Sequence, residues 1–335
     1  MTTHTPPPPR ATRTRPWRVV ASCGLVAVAI ATLVFVVTSR STSSDVPESD
    51  GPPVPSSGAY VGAWVTPDPF TQPGRVTSFQ RFEREVGHSL DVVHLYRRWG
   101  MPFGTSSDEQ FARSGKYLLV SWALPQSREI ASGVDDPQLR EAARQLAALP
   151  TKIWLEPRWE MDRPGIADIV QGPNAYVAAW DHVRQIFAEV GPTNIAWTWC
   201  PTAVGFDLGR AAAYYPGDDH VDWICADIYP TKPWETSRTE PPPLLGASFM
   251  TWASHHDKPI IIGELAVDEA YEGRRARWIL DAARWIRAHK QIKAVLWFEQ
   301  SSPDLPPFDR WAVASDPRAL RAFARLIARV SAGRS

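Results

Sequence analysis

Short segments rich in β-branched and aromatic residues recur along this chain, and the repetition constrains its fold more than any other sequence feature. Stretches with helical periodicity, such as PQLREAARQLAAL and ARWILDAARWIRAH, separate most of these segments. Strands that alternate with helices form a parallel sheet, and eight such units predict a closed (β/α)8 barrel. An open doubly wound sheet is the alternative, although no G-x-G-x-x-G motif opens a helix. The segments begin at Ala59, Leu90, Lys116, Lys152, Asn194, Val221, Lys258 and Ile292.

Length and charge narrow the class of protein. About 275 residues follow position 58, which is the usual size of one such barrel, so no second globular domain is needed. Lys and Arg together number 36, Asp and Glu together number 36, and the formal net charge is +0. This balance provides no basic surface for a nucleic acid, so we expect no nucleic-acid partner.

The N-terminal part of the chain differs in composition from the rest. The uncharged and mostly apolar residues 19–38 are long enough to span a bilayer and predict a transmembrane helix. Arginines crowd the preceding segment, so the positive-inside rule places residues 1–18 in the cytoplasm and the barrel outside the cell. Residues 39–58 are rich in Ser, Pro, Gly and acidic residues, which predicts a flexible linker before a barrel domain at 59–335.

The predicted location is therefore the cell membrane, with a single span and an extracellular barrel. A secreted protein with a cleaved signal peptide is the alternative. The apolar run exceeds the roughly 7 to 15 residues of a signal-peptide core, and no clear A-x-A cleavage site follows it. We therefore favour an uncleaved anchor.

Two glutamates close separate apolar runs, Glu160 at the end of KIWLEPRWE and Glu264 at the end of PIIIGE. All strands of a (β/α)8 barrel end at one mouth, so these side chains are expected to meet there. Ile260, Ile262 and Glu264 alternate along their strand, which points the carboxylate inward if the isoleucines fill the barrel. Glycoside hydrolysis needs one protonated carboxyl group and one ionised carboxylate flanking the anomeric carbon, and this pair can supply both.

The fourth strand is irregular near Glu160. Pro157 cannot donate a ladder hydrogen bond, which predicts a bulge before the glutamate. Strict alternation would point Glu156, Arg158 and Glu160 all inward. Arg158 is therefore a candidate to neutralise Glu156 or Asp227.

Tryptophans at strand ends are candidates for sugar stacking, because a flat apolar ring matches the C–H face of a pyranose. Tryptophans inside strands or helices are assigned to the core instead. The candidates for the sugar slot are Trp64, Trp99, Trp122, Trp159, Trp199 and Trp297. The tryptophans assigned to the core are Trp154, Trp180, Trp278 and Trp285.

The remaining polar groups suggest no metal or cofactor. His255 and His256 are adjacent and match no metal-ligand spacing, so we predict no catalytic metal and no cofactor. Cys200 and Cys225 could be oxidised to a disulfide across neighbouring strands, or they could remain buried thiols. Glu299 is an additional acid that could face the cleft, and its role is open.

Several motifs in order along the chain resemble glycoside hydrolase family 26. They are WEMDRP at 159–164, AYVAAWDHVRQIF, GPTNIAWTWCPT at 191–202, YYPGDDHVDWICADIYP at 214–230, KPIIIGE at 258–264 and AVLWFE at 294–299. The resemblance covers Tyr60 to about Ala324. That family includes β-mannanases, some β-1,3/1,4-glucanases and β-1,3-xylanases, so the resemblance implies a retaining enzyme on a (β/α)8 barrel.

The resemblance also implies roles for individual residues. Glu160 would be the acid/base, Glu264 the nucleophile, and Tyr229 would touch the nucleophile, while Trp297 would form a platform beneath the sugar. The chain departs from the mannan-cleaving members, which commonly have His directly before the acid/base and Arg four residues before it. Trp159 and Glu156 occupy these positions here, so the resemblance supports the two-glutamate chemistry more strongly than it supports mannan as the substrate.

The sequence therefore predicts a membrane-anchored extracellular retaining endo-β-glycosidase that hydrolyses a mannan or β-glucan type of polysaccharide. A second hypothesis is a catalytically silent protein that binds a glycan or assists polysaccharide assembly. A third is a transglycosylase, in which a sugar instead of water resolves the same covalent intermediate.

Overall fold

A computed structural model describes residues 51–230, 242–269, 274–301 and 310–332. Within these residues the strands follow one another in sequence order, and the first also pairs with the last, which closes an eight-stranded parallel barrel. This confirms the predicted (β/α)8 barrel. The strands are β1 Tyr60–Val65, β2 Val92–Arg98, β3 Tyr117–Ala123, β4 Ile153–Pro157, β5 Ile195–Trp199, β6 Trp223–Ile228, β7 Ile260–Leu265 and β8 Ile292–Glu299.

Helices follow the strands and cover the outside of the barrel. Local capping fixes where some of them begin: the Thr71 hydroxyl accepts the Gly74 amide of α1 at 3.1 Å, and Asp316 accepts the Arg318 amide of α11 at 2.8 Å. The described helices are α1 Gln72–Val86, α2 Ser106–Arg113, α3 Ser127–Ala131, α4 Asp136–Ala147, α5 Ala167–Val170, α6 Pro173–Val190, α7 Ala203–Asp207, α8 Pro242–Leu245, α9 Ala247–Ala253, α10 Arg275–Ala288 and α11 Pro317–Val330.

Buried side chains form two groups, one between the sheet and the helices and one inside the barrel. Aromatic rings fill the lower part of the interior, where Trp154 meets Trp223 at 5.2 Å, Tyr117 at 5.8 Å and Tyr60 at 5.9 Å between ring centroids. These edge-to-face contacts close the N-terminal end of the barrel. The four tryptophans assigned to the core from the sequence are all buried, which confirms that assignment.

The alternation expected along β7 is wrong. Ile261 lies in the interior cluster, whereas Ile260 and Ile262 pack against the helices. Glu264 still turns inward, because the pairing of β7 with β8 is irregular between Ile262 and Leu265. Gly263 lies at this irregularity, and a Cβ there would approach the Cys225 sulfur to 2.6 Å.

The predicted cytoplasmic segment 1–18 and transmembrane helix 19–38 lie outside the described residues. No helix in the described part of the chain is long and apolar enough to cross a membrane. The predicted linker 39–58 is described from residue 51 onward. There it has no regular structure apart from its junction with the barrel, and the Lys293 ammonium donates to the Pro55 carbonyl at 2.9 Å. This part of the predicted linker therefore contacts the start of β8.

A buried ion pair links β2 to α2. The side chains of Arg97 and Asp108 are only 1% and 2% exposed, and Asp108 also accepts the Thr105 amide at 3.0 Å where α2 begins. We expect Asp108→Ala to lower the free energy of unfolding by about 3–5 kcal/mol, because Arg97 then stays buried without its partner.

The neighbouring Glu109 gives a matched control for Asp108. Its ion pair with Arg113 is solvent-exposed, with side chains 48% and 71% exposed. Glu109→Ala should therefore cost less than about 1 kcal/mol. Urea unfolding of both variants measures the difference, and equal losses would contradict a structural role for the buried pair.

Candidate active site

Three carboxylates from different strands meet at the C-terminal mouth of the barrel. Glu160 follows β4, Asp227 lies on β6 and Glu264 lies on β7. One carboxylate oxygen of each lies within 4.8 Å of the others. Asp227 and Glu264 are buried, whereas the Glu160 side chain is 13% exposed. The two glutamates expected to meet at the mouth are therefore adjacent in the structure.

A strained turn carries Glu160 into the mouth. β4 ends at Pro157, and both Arg158 (φ 57°) and Glu160 (φ 51°) take the left-handed backbone conformation that non-glycine residues rarely adopt. Two backbone hydrogen bonds hold this turn, from the Arg158 amide to the Trp122 carbonyl at 2.9 Å and from the Glu160 amide to the Cys200 carbonyl at 2.6 Å. Neighbouring strands thus hold the turn on both sides.

Because of this turn, the expectation that Arg158 points inward is wrong. Its side chain lies in the helical layer beside Leu124 and Tyr176, where burial lowers the pKa of the guanidinium. Arg158 is therefore separated from Glu156 and Asp227 and does not neutralise them.

Asp162 fixes the loop after Glu160 to the neighbouring strand. The buried Asp162 carboxylate accepts the Thr202 amide at 2.9 Å and also accepts the Thr202 hydroxyl. A Cβ at Gly205 would lie 1.8 Å from Asp162 Oδ2, so only glycine leaves room for this carboxylate. The motif that suggested Glu160 also contains Asp162, but nothing in the sequence spacing reveals its partner.

Two tyrosines donate hydrogen bonds to Glu264. The Tyr96 hydroxyl donates to Oε1, and the Tyr229 hydroxyl donates to Oε2. The Tyr229 contact is the one that the family resemblance implies, whereas no sequence motif indicated Tyr96. Burial, together with the negative charge of Glu160, raises the pKa of Glu264 to about 7, and the two tyrosine hydroxyls oppose this rise.

Glu160 has a cationic partner in its own loop. Arg163 donates to Glu160 Oε2 at 2.5 Å, and the Arg163 side chain is 57% exposed. Burial raises the pKa of Glu160, while the charge and hydrogen bond of Arg163 lower it. Arg163 belongs to the motif that contains Glu160, so its position three residues further on could have suggested this pair.

Asp227 completes the carboxylate cluster. Burial raises its pKa well above the usual value, and the negative charges of Glu264 and Glu160 raise it further. A trio of carboxylates is also a potential cation site. Here, however, both Glu264 oxygens already accept tyrosine hydroxyls and Arg163 offsets the charge of Glu160. The raised pKa values of Asp227 and Glu264 make the cluster suited to holding protons.

Aromatic side chains form the walls of the mouth. Trp64 stacks on Phe298 with ring centroids 4.6 Å apart, Trp159 packs on Tyr96 at 5.3 Å, and Tyr229 packs against Trp311. Trp64, Trp159, Phe298 and Trp311 are partly exposed. Of the aromatic residues predicted to bind sugar, the structure thus places Trp64, Trp159 and Tyr229 around the carboxylates.

Three other tryptophans predicted to stack on sugar, Trp122, Trp199 and Trp297, are buried outside the mouth, and their assignment is wrong. Trp99 is partly exposed after the end of β2, and its assignment stays a prediction. Trp122 is buried against Trp99, with ring centroids 5.3 Å apart. Trp199 is buried against Trp252 of α9 at 5.3 Å, and Trp297 is buried against a phenylalanine of α11. These rings face the helices because a shift of one residue along a strand reverses the direction of a side chain.

That reversal explains why Phe298 was missed. Phe298 follows Trp297 on β8 and points toward the mouth, where it contacts Trp64 and Trp311. Trp311 has no comparable sequence signal, since it lies in the connection after β8, beyond the end of the strand pattern.

Glu299 holds that connection in place. Its buried carboxylate accepts the Val313 amide at 2.8 Å, the Ala314 amide at 3.0 Å and the Trp297 indole N–H at 3.0 Å. Burial raises the pKa of Glu299 to about 7. Its role, open in the sequence, is therefore to position the segment that carries Trp311.

The cysteines form a disulfide inside the barrel. Cys200 follows β5, Cys225 lies on β6, and the structure bonds their sulfurs to each other. The Cys200 sulfur lies 3.3 Å from Asp227 Oδ1, so the disulfide contacts the carboxylate cluster. Of the two alternatives open in the sequence, the structure contains the oxidised pair.

The chain is similar to known proteins in both sequence and fold. No protein-family model matches the chain. Endoglucanase H of Acetivibrio thermocellus is 29% identical over 287 residues, which are 81% of this chain and 31% of that protein. β-1,3-Xylanase TXYA of a Vibrio species is 24% identical over 186 residues, which are 52% of this chain and 36% of that protein. The chain spans about a third of the length of these relatives.

Solved structures extend the comparison. A GH26 β-mannanase from Bacteroides ovatus shares the fold with a TM-score of 0.61 and 15% identity, covering 81% of this chain and 89% of that chain. An endo-β-1,4-mannanase from Cellulomonas fimi gives a TM-score of 0.58 at 14% identity, covering 80% of this chain and 70% of that chain. The resemblance to glycoside hydrolase family 26 noted in the sequence is thereby confirmed at the level of the fold.

Removal of one tyrosine hydroxyl should change the titration of Glu264. We expect Tyr229→Phe to raise the pKa of Glu264 further, by about one unit, because the hydrogen bond favours the ionised carboxylate. Titration of the side-chain carboxyl carbons in ¹³C-glutamate-labelled protein measures the shift. Tyr215→Phe is the control. The Tyr215 hydroxyl donates to Asp218 at 2.6 Å, so its removal should leave the pKa of Glu264 unchanged. An unchanged or lower pKa in Tyr229→Phe would contradict the assigned contact.

Proposed function

We propose that this protein is a retaining glycoside hydrolase that cleaves β-linked polysaccharides internally, with Glu160 as acid/base and Glu264 as nucleophile. The observation that carries the proposal is the approach of their carboxylate oxygens to within 4.8 Å. Retaining enzymes hold these groups about 5–5.5 Å apart, whereas inverting enzymes leave about 6.5–9.5 Å for a water molecule. The separation thus supports direct attack by a carboxylate on the sugar.

The hydrogen-bond partners support the assignment of the two roles. Glu264 accepts hydrogen bonds from Tyr96 and Tyr229, which favour its ionised form and orient both oxygens. When Glu160 carries a proton, its charge no longer raises the pKa of Glu264, so the neighbouring carboxylate can ionise. One proton held by the pair therefore gives an acid at Glu160 and a nucleophile at Glu264.

The proposed reaction has two steps. Glu160 donates its proton to the departing glycosidic oxygen while Glu264 attacks the anomeric carbon, which gives a covalent glycosyl-enzyme. Glu160 then accepts a proton from the incoming water, and Glu264 leaves as a carboxylate. Arg163 favours the ionised form of Glu160 that the second step needs.

The substrate class rests on the walls of the mouth and on the relatives. Partly exposed Trp64, Trp159 and Trp311 offer flat surfaces to a sugar ring beside the carboxylates. The matched proteins are named as an endoglucanase, a β-1,3-xylanase and a β-mannanase. We therefore propose a β-linked polysaccharide of the mannan or β-glucan type as the substrate.

Loss of the proposed nucleophile should abolish cleavage. We expect the full chain to release reducing ends from at least one of β-mannan, mixed-linkage β-glucan, β-1,3-xylan and cellulose. Glu264→Ala should lower this rate by at least about a thousandfold without unfolding the barrel. Glu141→Ala, which removes an exposed carboxylate of α4, should retain the wild-type rate.

Each alternative predicts a different result in this assay. Cleavage by Glu264→Ala at the wild-type rate would contradict the assignment of Glu264 as the nucleophile. Tight glycan binding by the wild type without cleavage of any polymer would favour the glycan-binding hypothesis. Products longer than the starting oligosaccharide would identify a transglycosylase.

The stereochemistry of the product tests the proposed mechanism. Proton NMR of the freshly released reducing end should show the β anomer before mutarotation, because two displacements at the anomeric carbon retain its configuration. Initial appearance of the α anomer from a β-linked polymer would contradict the covalent intermediate.

We also propose that residues 19–38 anchor the enzyme in the cell membrane with its barrel outside the cell. The sequence of this run and the arginines before it support the anchor. The full chain should stay with the membrane during alkaline carbonate extraction, and its barrel should be accessible to protease added to intact cells. Release by carbonate, or protection from the protease, would contradict the anchor or its orientation, respectively.

A further inference from the structure

A continuous series of polar contacts runs from Glu264 into the interior of the barrel. Tyr96 contacts Glu264 Oε1, and the Tyr96 hydroxyl lies 3.4 Å from His94 Nδ1. His94 Nε2 lies 2.7 Å from Ser121 Oγ, which in turn lies 2.6 Å from Glu156 Oε2. His94, Ser121 and Glu156 are buried. Glu156, one of the two residues that depart from the mannanase pattern, thus lies at the far end of a series of contacts that reaches the proposed nucleophile.

The surroundings of Glu156 favour its protonated form. Ser121 is the hydrogen-bond partner of Oε2, while the buried Oε1 has no partner in the described part of the chain. A Glu156 oxygen lies within 4.8 Å of the sulfurs of Cys200 and Cys225, which are joined in a disulfide and supply no charge. An ionised carboxylate here would be a poorly solvated buried charge, which is costly.

The charged and titratable groups facing Glu156 act in the same direction. Glu264 and Glu160 raise its pKa through their negative charges, and burial has the largest effect, bringing the pKa to about 8. Asp227 and Tyr176 are the other titratable groups that interact with Glu156. Neither group supplies a positive charge, so Glu156 keeps its proton into the neutral range.

We propose that Glu156 is a positioning residue whose carboxylic proton sets the direction of the hydrogen-bond chain that ends on Glu264. With the proton present, Glu156 donates to Ser121, Ser121 donates to His94 Nε2, His94 donates through Nδ1–H to Tyr96, and Tyr96 donates to Glu264. Each group then donates one hydrogen bond and accepts one, apart from the two ends. Burial lowers the pKa of His94 to about 3, so the ring is neutral and carries one N–H.

Loss of the Glu156 proton reverses part of the chain. Ser121 then donates to Glu156, and His94 donates to Ser121 through Nε2–H. This leaves His94 Nδ1 as an acceptor that competes with Glu264 for the Tyr96 hydroxyl. The donor that stabilises the proposed nucleophile is thereby weakened as the pH rises past the pKa of Glu156.

The position of the His94 proton tests this proposal without any assay of activity. In ¹⁵N-histidine-labelled full chain, we expect the His94 ring to carry its proton on Nδ1 at mildly acidic pH and on Nε2 above the pKa of Glu156. In Glu156→Gln the amide donates to Ser121 at every pH, so the Nδ1–H form should persist. Long-range ¹H–¹⁵N spectra distinguish the two tautomers, and His94→Asn identifies the resonance.

Two further variants keep this test decisive. Ser121→Ala breaks the chain but keeps Glu156, so its His94 tautomer should no longer follow the Glu156 titration even if Glu156→Gln fails to fold. Glu299→Gln alters another buried carboxyl group that lies outside the chain, and it should leave the tautomer change of His94 intact. A wild-type tautomer that is independent of pH, or the same pH dependence in Ser121→Ala, would overturn the proposal.

The kinetic consequence rests on the proposed glycosidase function. If the protein cleaves a polysaccharide, the alkaline limb of its kcat/KM profile reports the loss of the Glu160 proton. This limb should move to lower pH in Glu156→Gln, because the charge of ionised Glu156 no longer raises the pKa of Glu160. If the alkaline limb does not move and the His94 tautomer does not change with pH, the inference is refuted and the glycosidase proposal stays intact. Absence of hydrolysis together with the expected tautomer change would refute only the glycosidase proposal.

Discussion

Closure of a parallel sheet is the constraint on which the rest of this structure depends. Each strand starts at one rim and ends at the other, so residues far apart in sequence meet at the C-terminal rim. Glu160 and Glu264 come together in this way, although 103 residues separate them in the chain. At the opposite rim, aromatic rings around Trp154 fill the interior of the barrel. One topology therefore separates a packed base from a polar mouth.

The barrel itself was predictable from the sequence because repetition is a property of the whole chain. Eight apolar segments separated by helical patterns leave few alternative folds, and an error of one residue in any segment does not change the conclusion. The two glutamates were predictable for a related reason. Their position at strand ends was visible in the sequence, although the irregular backbone that turns each carboxylate into the mouth was not.

The details that depend on the direction of single side chains were less predictable. Trp297 and Phe298 are adjacent on β8, yet the first packs against α11 and the second lines the mouth. Arg158 turns away from the interior because the backbone enters the left-handed region after Pro157. Simple alternation fails at such points, since strained turns and irregular pairing are set by contacts with neighbouring strands. Trp311 lies in a connection where no periodic pattern applies.

The aromatic rings at the base of the barrel determine from which side water reaches the site. Rings at the level of Trp154 close the interior from below, and the disulfide lies between that layer and Asp227. Under the proposed mechanism, water would have to enter through the same opening that the departing sugar occupies. Water and an acceptor sugar would then compete for one opening, and this competition would affect the partition between hydrolysis and sugar transfer.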